Sequence, residues 1–152
     1  DVYKRQQIPD RVQDKKFTLG EKTDDFQRVK HLNPVFAFDF ISLNRGDFCF
    51  DGKLLGRDDY VKLMKSLKSI SSYTYEMLDK EYRFHFHEID WEDVTISKSD
   101  FYKCISKNCK GEENIDAYQF KVYEEARIIG FLYMGVFYLV MFDRGHNAYK
   151  RK

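Results

Sequence analysis

Two apolar runs separated by a pair of residues, 127–133 and 136–142, limit what this chain can fold into more than any other stretch. Both are rich in Ile, Val, Phe, Tyr and Leu. Met134-Gly135 between them is short enough for a tight reversal, so the sequence predicts a β-hairpin. Side chains on a strand alternate between two faces. On the first arm Ile128, Gly130 and Leu132 oppose Ile129, Phe131 and Tyr133. On the second, Val136, Tyr138, Val140 and Phe142 oppose Phe137, Leu139 and Met141. Both faces of both arms are apolar, which is the pattern of strands in the middle of a sheet, covered on two sides.

The rest of the chain supplies what such a hairpin would pack against. Residues 117–123 alternate Tyr118, Phe120 and Val122 with Gln119, Lys121 and Tyr123, which predicts a third strand and a C-terminal three-stranded meander. Residues 35–43 form another strand signal, with Phe36, Phe38 and Phe40 on its core face. The turn composition of 44–47 and the apolar 48–50 make it a first hairpin. A helix is expected from Asp58 or Asp59 to about Ile70, because Tyr60, Leu63, Met64, Leu67 and Ile70 recur at three- and four-residue steps, and a shorter one over 72–80. Residues 82–91 read as an edge strand with His85 and His87 on one side. Ser97 or Ser99 caps a short helix reaching Ile105. The expected fold class is therefore α+β: an antiparallel sheet made of an N-terminal hairpin plus the C-terminal meander, with helices packed on one face.

The size of 152 residues suits one domain with a sizeable core. Residues 35–152 are expected to form it, behind a polar lead-in over 7–34 in which a helix over 24–30 is the main signal. Residues 1–6, DVYKRQ, are the translation of a transposon-end adapter used in shotgun libraries, and are expected to be foreign to the protein. A net charge of +1, from 26 basic and 25 acidic residues, excludes a polycationic binder driven by bulk charge. No apolar run reaches the length of a membrane span, so no membrane partner is expected. Cys49, Cys104 and Cys109 are odd in number and lack paired CxxC spacing, which fits thiols in a reducing cytoplasm rather than a disulfide framework or a zinc site.

The composition changes abruptly after Phe142. Asp143, Arg144, His146 and Tyr149 bring an acid, a guanidinium, an imidazole and a phenol to the exit of a buried strand. RNA cleavage by internal attack needs a base for the 2′-hydroxyl, a cation for charge developing on phosphorus and an acid for the leaving oxygen. His146, Tyr149 and Arg144 are the candidate catalytic residues on that logic, and Arg127, Lys150 and Arg151 the candidate substrate-binding ones. The same tip can equally be turn chemistry, with Asp143 capping the turn at Arg144-Gly145, His146 bonded to backbone and Tyr149 folded over the sheet end. The pair His85-x-His87 could share a metal only with a third ligand from elsewhere, and the spacing implies neither metal nor cofactor.

The order of a strand, amphipathic helices and an antiparallel meander, with Arg127 opening a meander strand and His146 and Tyr149 closing the chain, resembles RelE/ParE-type toxin domains of bacteria and phage. It covers residues 126–152 by pattern and the remainder by element order. The front hairpin over 35–50, the segment 82–114 and the near-neutral charge depart from it. The resemblance implies a cytoplasmic endoribonuclease acting on RNA or the ribosome, with a protein antitoxin as a further partner. Arg127 and Arg144 would then hold phosphate, His146 transfer protons and Tyr149 position or stack on a base. The alternative is a non-catalytic accessory protein of a phage or mobile element that binds its partner through aromatic surface.

Overall fold

A computed structural model describes residues 22–44, 46–105 and 115–150. The adapter-like residues 1–6, the first part of the lead-in, Cys109 and Arg151 lie outside the described residues. Strands β1 (Val35–Ala37), β2 (His87–Glu88), β3 (Ala117–Lys121), β4 (Arg127–Tyr133) and β5 (Val136–Asp143) form one sheet in the order β1-β5-β4-β3-β2. Helices α1 (Lys22–Val29), α2 (Arg57–Ile70), α3 (Tyr75–Lys80) and α4 (Lys98–Ile105) accompany it. The class is α+β, and β3, β4 and β5 are the meander expected from the sequence.

Met134 and Gly135, at φ 51° and 83°, make the two-residue reversal between β4 and β5. Positive φ at both central positions matches the twist of the flanking strands. Every residue of β5 is buried. A strand buried on both faces also needs partners along both edges for its backbone groups. β4 serves one edge and β1 the other, running parallel to β5 with Val35, Phe36 and Ala37 opposite Val136, Phe137 and Tyr138.

That requirement corrects the expected N-terminal hairpin. β1 ends at Ala37, and residues 38–44 and 46–50 follow the edge of β5 without forming a strand. Ser42 N donates to Val140 O, Phe142 N to Phe48 O and Phe50 N to Ser42 O. The reason lies in β5, whose register with β4 slips between Ile129 opposite Met141 and Gly130 opposite Leu139, leaving Val140 as an extra residue. A bulge turns the strand edge and interrupts a regular ladder. The aromatic row divides accordingly: Phe36 packs edge-on to Phe137, Phe40 packs on Tyr138 and Phe131, and Phe38 stays half exposed. Gly130 faces the bulge. A Cβ there would lie 1.9 Å from Tyr138 O, so only glycine fits.

The bulge also moves Phe142 to the face of Phe137 and Leu139, and Met141 to the face of Val136, Tyr138 and Val140. Each face has its own core. The first gathers Val29, Leu63, Leu67, Ile70 and Leu78 from α1, α2 and α3 around Phe120, Ile128 and Leu139. The second gathers Phe101 and Tyr102 of α4, with Ile89, Val94 and Ala148, around Ile129, Phe131 and Tyr138. Helices therefore cover both faces, where the sequence reading placed them on one. Local signals set their ends: Gly56 N donates to the Asp59 carboxylate at the start of α2, Met77 N to Thr74 Oγ1 and Asp100 N to Ser97 Oγ.

Candidate functional site

Asp143 closes β5 with its carboxylate 2% exposed. Oδ1 accepts from Asn147 N and Oδ2 from Ala148 N, both at 2.8 Å. This holds residues 144–148 in a turn whose sharpest point is His146, at φ 57°. The tail then crosses the second core: Thr95 N donates to Ala148 O, Lys150 N to Asp93 O, and Tyr149 bridges to Val94. Tyr149 is thereby laid over the end of the sheet. Two imidazoles meet its ring edge-on, His146 at 5.5 Å and His87 at 6.1 Å between centroids. His87 is exposed and its Nδ1 faces Glu88 O at 2.9 Å. The His146 side chain is 35% exposed, with Nδ1 3.7 Å from the Glu125 carboxylate.

Beneath these rings is a buried polar row. Arg127 is opposite Asp143 in the ladder and 4% exposed, and its Nη1 donates to Glu125 O at 2.9 Å. Gln119, in register with both His87 and Ile129, is 2% exposed and donates from Nε2 to His85 O. Arg127 Nε, Gln119 Oε1 and the Tyr149 hydroxyl are buried without a hydrogen-bond partner. Buried polar atoms are nearly always paired with protein or with ordered water, so these three make this end of the sheet a polar patch within apolar surroundings. Burial lowers the Arg127 pKa from its ordinary value against the pull of Glu125 and Asp143. Burial raises the Tyr149 phenol to about 12, with the nearby Arg127 opposing. His85 is held down by burial first and then by Arg127 and Lys121, so its ring is neutral at cellular pH.

Arg144 points the other way. Its Nε donates to Asp59 Oδ1 at 2.7 Å, Nη2 lies 3.5 Å from Glu124, and the guanidinium covers the Tyr123 ring at 5.0 Å. Asp59 also accepts from Gly56 N and the Tyr123 hydroxyl, and these bonds, with Gly56 first and Arg144 next, hold its carboxyl below the usual range. Arg144 thus ties the tip to the start of α2. Lys150 Nζ donates to Glu92 O at 2.7 Å, and Arg151 lies outside the described residues.

Of the residues singled out from sequence, His146, Tyr149 and Arg127 are brought to one place, and Arg144 is not among them. His87, weighed from sequence only as half of a metal pair with His85, joins the group, and so does Gln119, which was not selected. Sequence alternation had put His85 and His87 on one strand face. Instead Tyr82–Phe84 is a 3₁₀ turn ending at His85 with φ 43°, and β2 begins at His87. The signal that could have found His87 is its pairing with Gln119, a polar residue amid an apolar alternation. Among the described residues no group of three or more His, Cys, Asp or Glu side chains is placed to hold a metal ion. No helix among them is long and apolar enough to cross a membrane.

The model of one family, described as uncharacterised protein UU032, matches residues 50–152, a span that takes in both histidines, the buried polar row and the tail. No curated protein and no solved structure matches the chain.

Proposed function

The chain belongs to the family of uncharacterised protein UU032, and we propose that it is an RNA-directed endoribonuclease whose acid–base pair is His146 and His87. The observation that carries this reading is the convergence of two solvent-reachable imidazoles on the Tyr149 ring, which also feels the charge of the Arg127 guanidinium. An imidazole can both take and give a proton. In the reaction His146 takes the proton of a ribose 2′-hydroxyl, with Glu125 near Nδ1 to favour the imidazolium that forms. The 2′-oxygen attacks phosphorus, the bond to the 5′-oxygen breaks, and His87 protonates that oxygen. The products are a 2′,3′-cyclic phosphate and a 5′-hydroxyl. Arg127 supplies fixed positive charge to the developing phosphorane, which is the role electrostatic preorganisation plays in such sites. Tyr149, with its raised pKa, keeps its proton and spaces the two imidazoles. Arg144 serves as a positioning residue through Asp59.

The test is cleavage of a labelled RNA by purified protein, with the same strand carrying one 2′-deoxy residue as control. Loss of an acid or base costs about 10²- to 10⁴-fold. His146→Ala and His87→Ala are each expected to lose that much while melting as the wild type does. Tyr149→Phe is expected to retain most activity. Wild-type protein that cleaves neither free nor ribosome-bound RNA would refute the assignment and leave the reading as a non-catalytic binding protein of a phage or mobile element.

A further inference from the structure

Tyr82 is the large side chain next to this site that the fold leaves in solvent. It is 83% exposed. Its ring leans on the His85 imidazole at 4.5 Å and 53°. The turn that presents the two is closed by a hydrogen bond: His85 N donates to Tyr82 O at 3.0 Å, and His85 ends it in the left-handed region, which histidine enters more readily than most residues other than glycine. Its carbonyl accepts from the buried Gln119. Gln119 is in turn the ladder partner of His87, so the Tyr82 platform and the proposed acid are mounted on one residue. Beside it Arg83 lies over Phe84 at 4.6 Å and Tyr73 at 5.4 Å, donates from Nη2 to the Tyr73 hydroxyl and stands 4.0 Å from the Glu81 carboxylate, with its side chain still 61% exposed. An aromatic ring open to solvent, backed by a neutral imidazole and flanked by an accessible guanidinium, has the parts that hold unpaired nucleic acid: a π-face for a base and a cation for its phosphate. A duplex keeps its bases stacked inside and cannot offer one to such a ring.

We infer that Tyr82, seated on His85, stacks a nucleobase of the bound strand, and that the substrate is therefore single-stranded RNA. This rests on the nuclease reading for the site, but its binding arm can be tested apart from cleavage. The probe is a short single-stranded 2′-O-methyl oligonucleotide, which keeps bases and phosphates and lacks the attacking hydroxyl. Base stacking on an aromatic side chain contributes enough that its removal weakens binding by about 5- to 150-fold. Tyr82→Ala is expected to show that loss, and Tyr82→Phe to bind as the wild type does. Tyr82→Trp is expected to report binding by a change in fluorescence distinct from that of the native Trp91. The same oligonucleotide annealed to its complement is expected to bind at least tenfold more weakly. Unchanged affinity of Tyr82→Ala, or equal affinity for the duplex, overturns the inference even if RNA is cleaved. Tyr82-dependent binding without cleavage keeps the platform and refutes the acid–base assignment. Absence of any binding by the wild type refutes both.

Discussion

Replacing Asp143 by alanine removes one carboxylate and two hydrogen bonds, and the structure allows the loss to be worked out. Asn147 N and Ala148 N both donate to it at 2.8 Å. A hydrogen bond to an ionised group is worth about 1.5–3 kcal/mol. The two amides differ in what they can do afterwards. Asn147 is exposed, so its amide can turn to water, whereas Ala148 is fully buried and its amide is left without a partner. An unsatisfied buried donor adds a desolvation cost, and Arg127 loses the carboxylate that faces it across the ladder. The two bonds alone come to about 3–6 kcal/mol and the stranded amide adds to that, so Asp143→Ala is expected to lose at least about 4 kcal/mol, with no change in the urea m-value. Asp143→Asn keeps one acceptor and sets an amide N–H₂ against the other donor, for a loss of roughly half that. Urea titration measures both, and amide exchange should show Thr95 and Ala148 losing protection ahead of the strands. If both variants fall within about 1 kcal/mol of the wild type, the carboxylate does not hold the tail, and the placement of His146 and Tyr149 needs another cause.

Gly130→Ala is expected to destabilise by more than about 3 kcal/mol, since its Cβ would meet the Tyr138 carbonyl and β5 would have to shift; thermal unfolding measures this, and a neutral result would remove the bulge from the argument. Asp59 should contribute a share of stability that depends on acid. Its folded-state pKa lies below the ordinary 3.8, so the contribution is complete above the unfolded value and is lost as pH falls through the folded one. The difference in unfolding free energy between wild type and Asp59→Asn, followed by urea titration from neutral pH downwards, should shrink below about pH 4. A difference independent of pH would mean that the Arg144 and Gly56 bonds do not act through charge.

Much of this fold could be read from the sequence because the governing signals are local or periodic. β4 and β5 are long, apolar and joined by a two-residue turn, so neither their existence nor their pairing depends on anything distant. α2 shows its period in Leu63, Leu67 and Ile70. The hairpin expected over residues 35–50 failed for a reason no alternation rule contains: whether Phe36 pairs with a neighbour in sequence or with Phe137, a hundred residues on, is decided by which edge of β5 is free. The bulge at Val140 was hidden in the same way, because a continuous apolar run gives no sign of which residue is extra. In the candidate site, Arg127, His146 and Tyr149 stood out by chemistry at a strand end. His87 and Gln119 did not, because what joins them to the group is the β2–β3 register. The role of Arg144 turned on Asp59, which lies in a helix remote in sequence.

The extra residue at Val140 decides on which side of the molecule the tail can operate. Beyond it, Met141 and Asp143 face the second core while Phe142 and Arg144 face α2. Without the bulge, strict alternation of the same residues would turn Asp143 toward the helix and Arg144 toward Arg127. The turn, His146 and Tyr149 would then be built against the wrong surface, away from His87. Deleting Val140 would remove the extra residue itself, so Met141, Phe142 and Asp143 would keep their present faces in strict alternation and the tail its side of the sheet, with the Val140 O bond to Ser42 N lost.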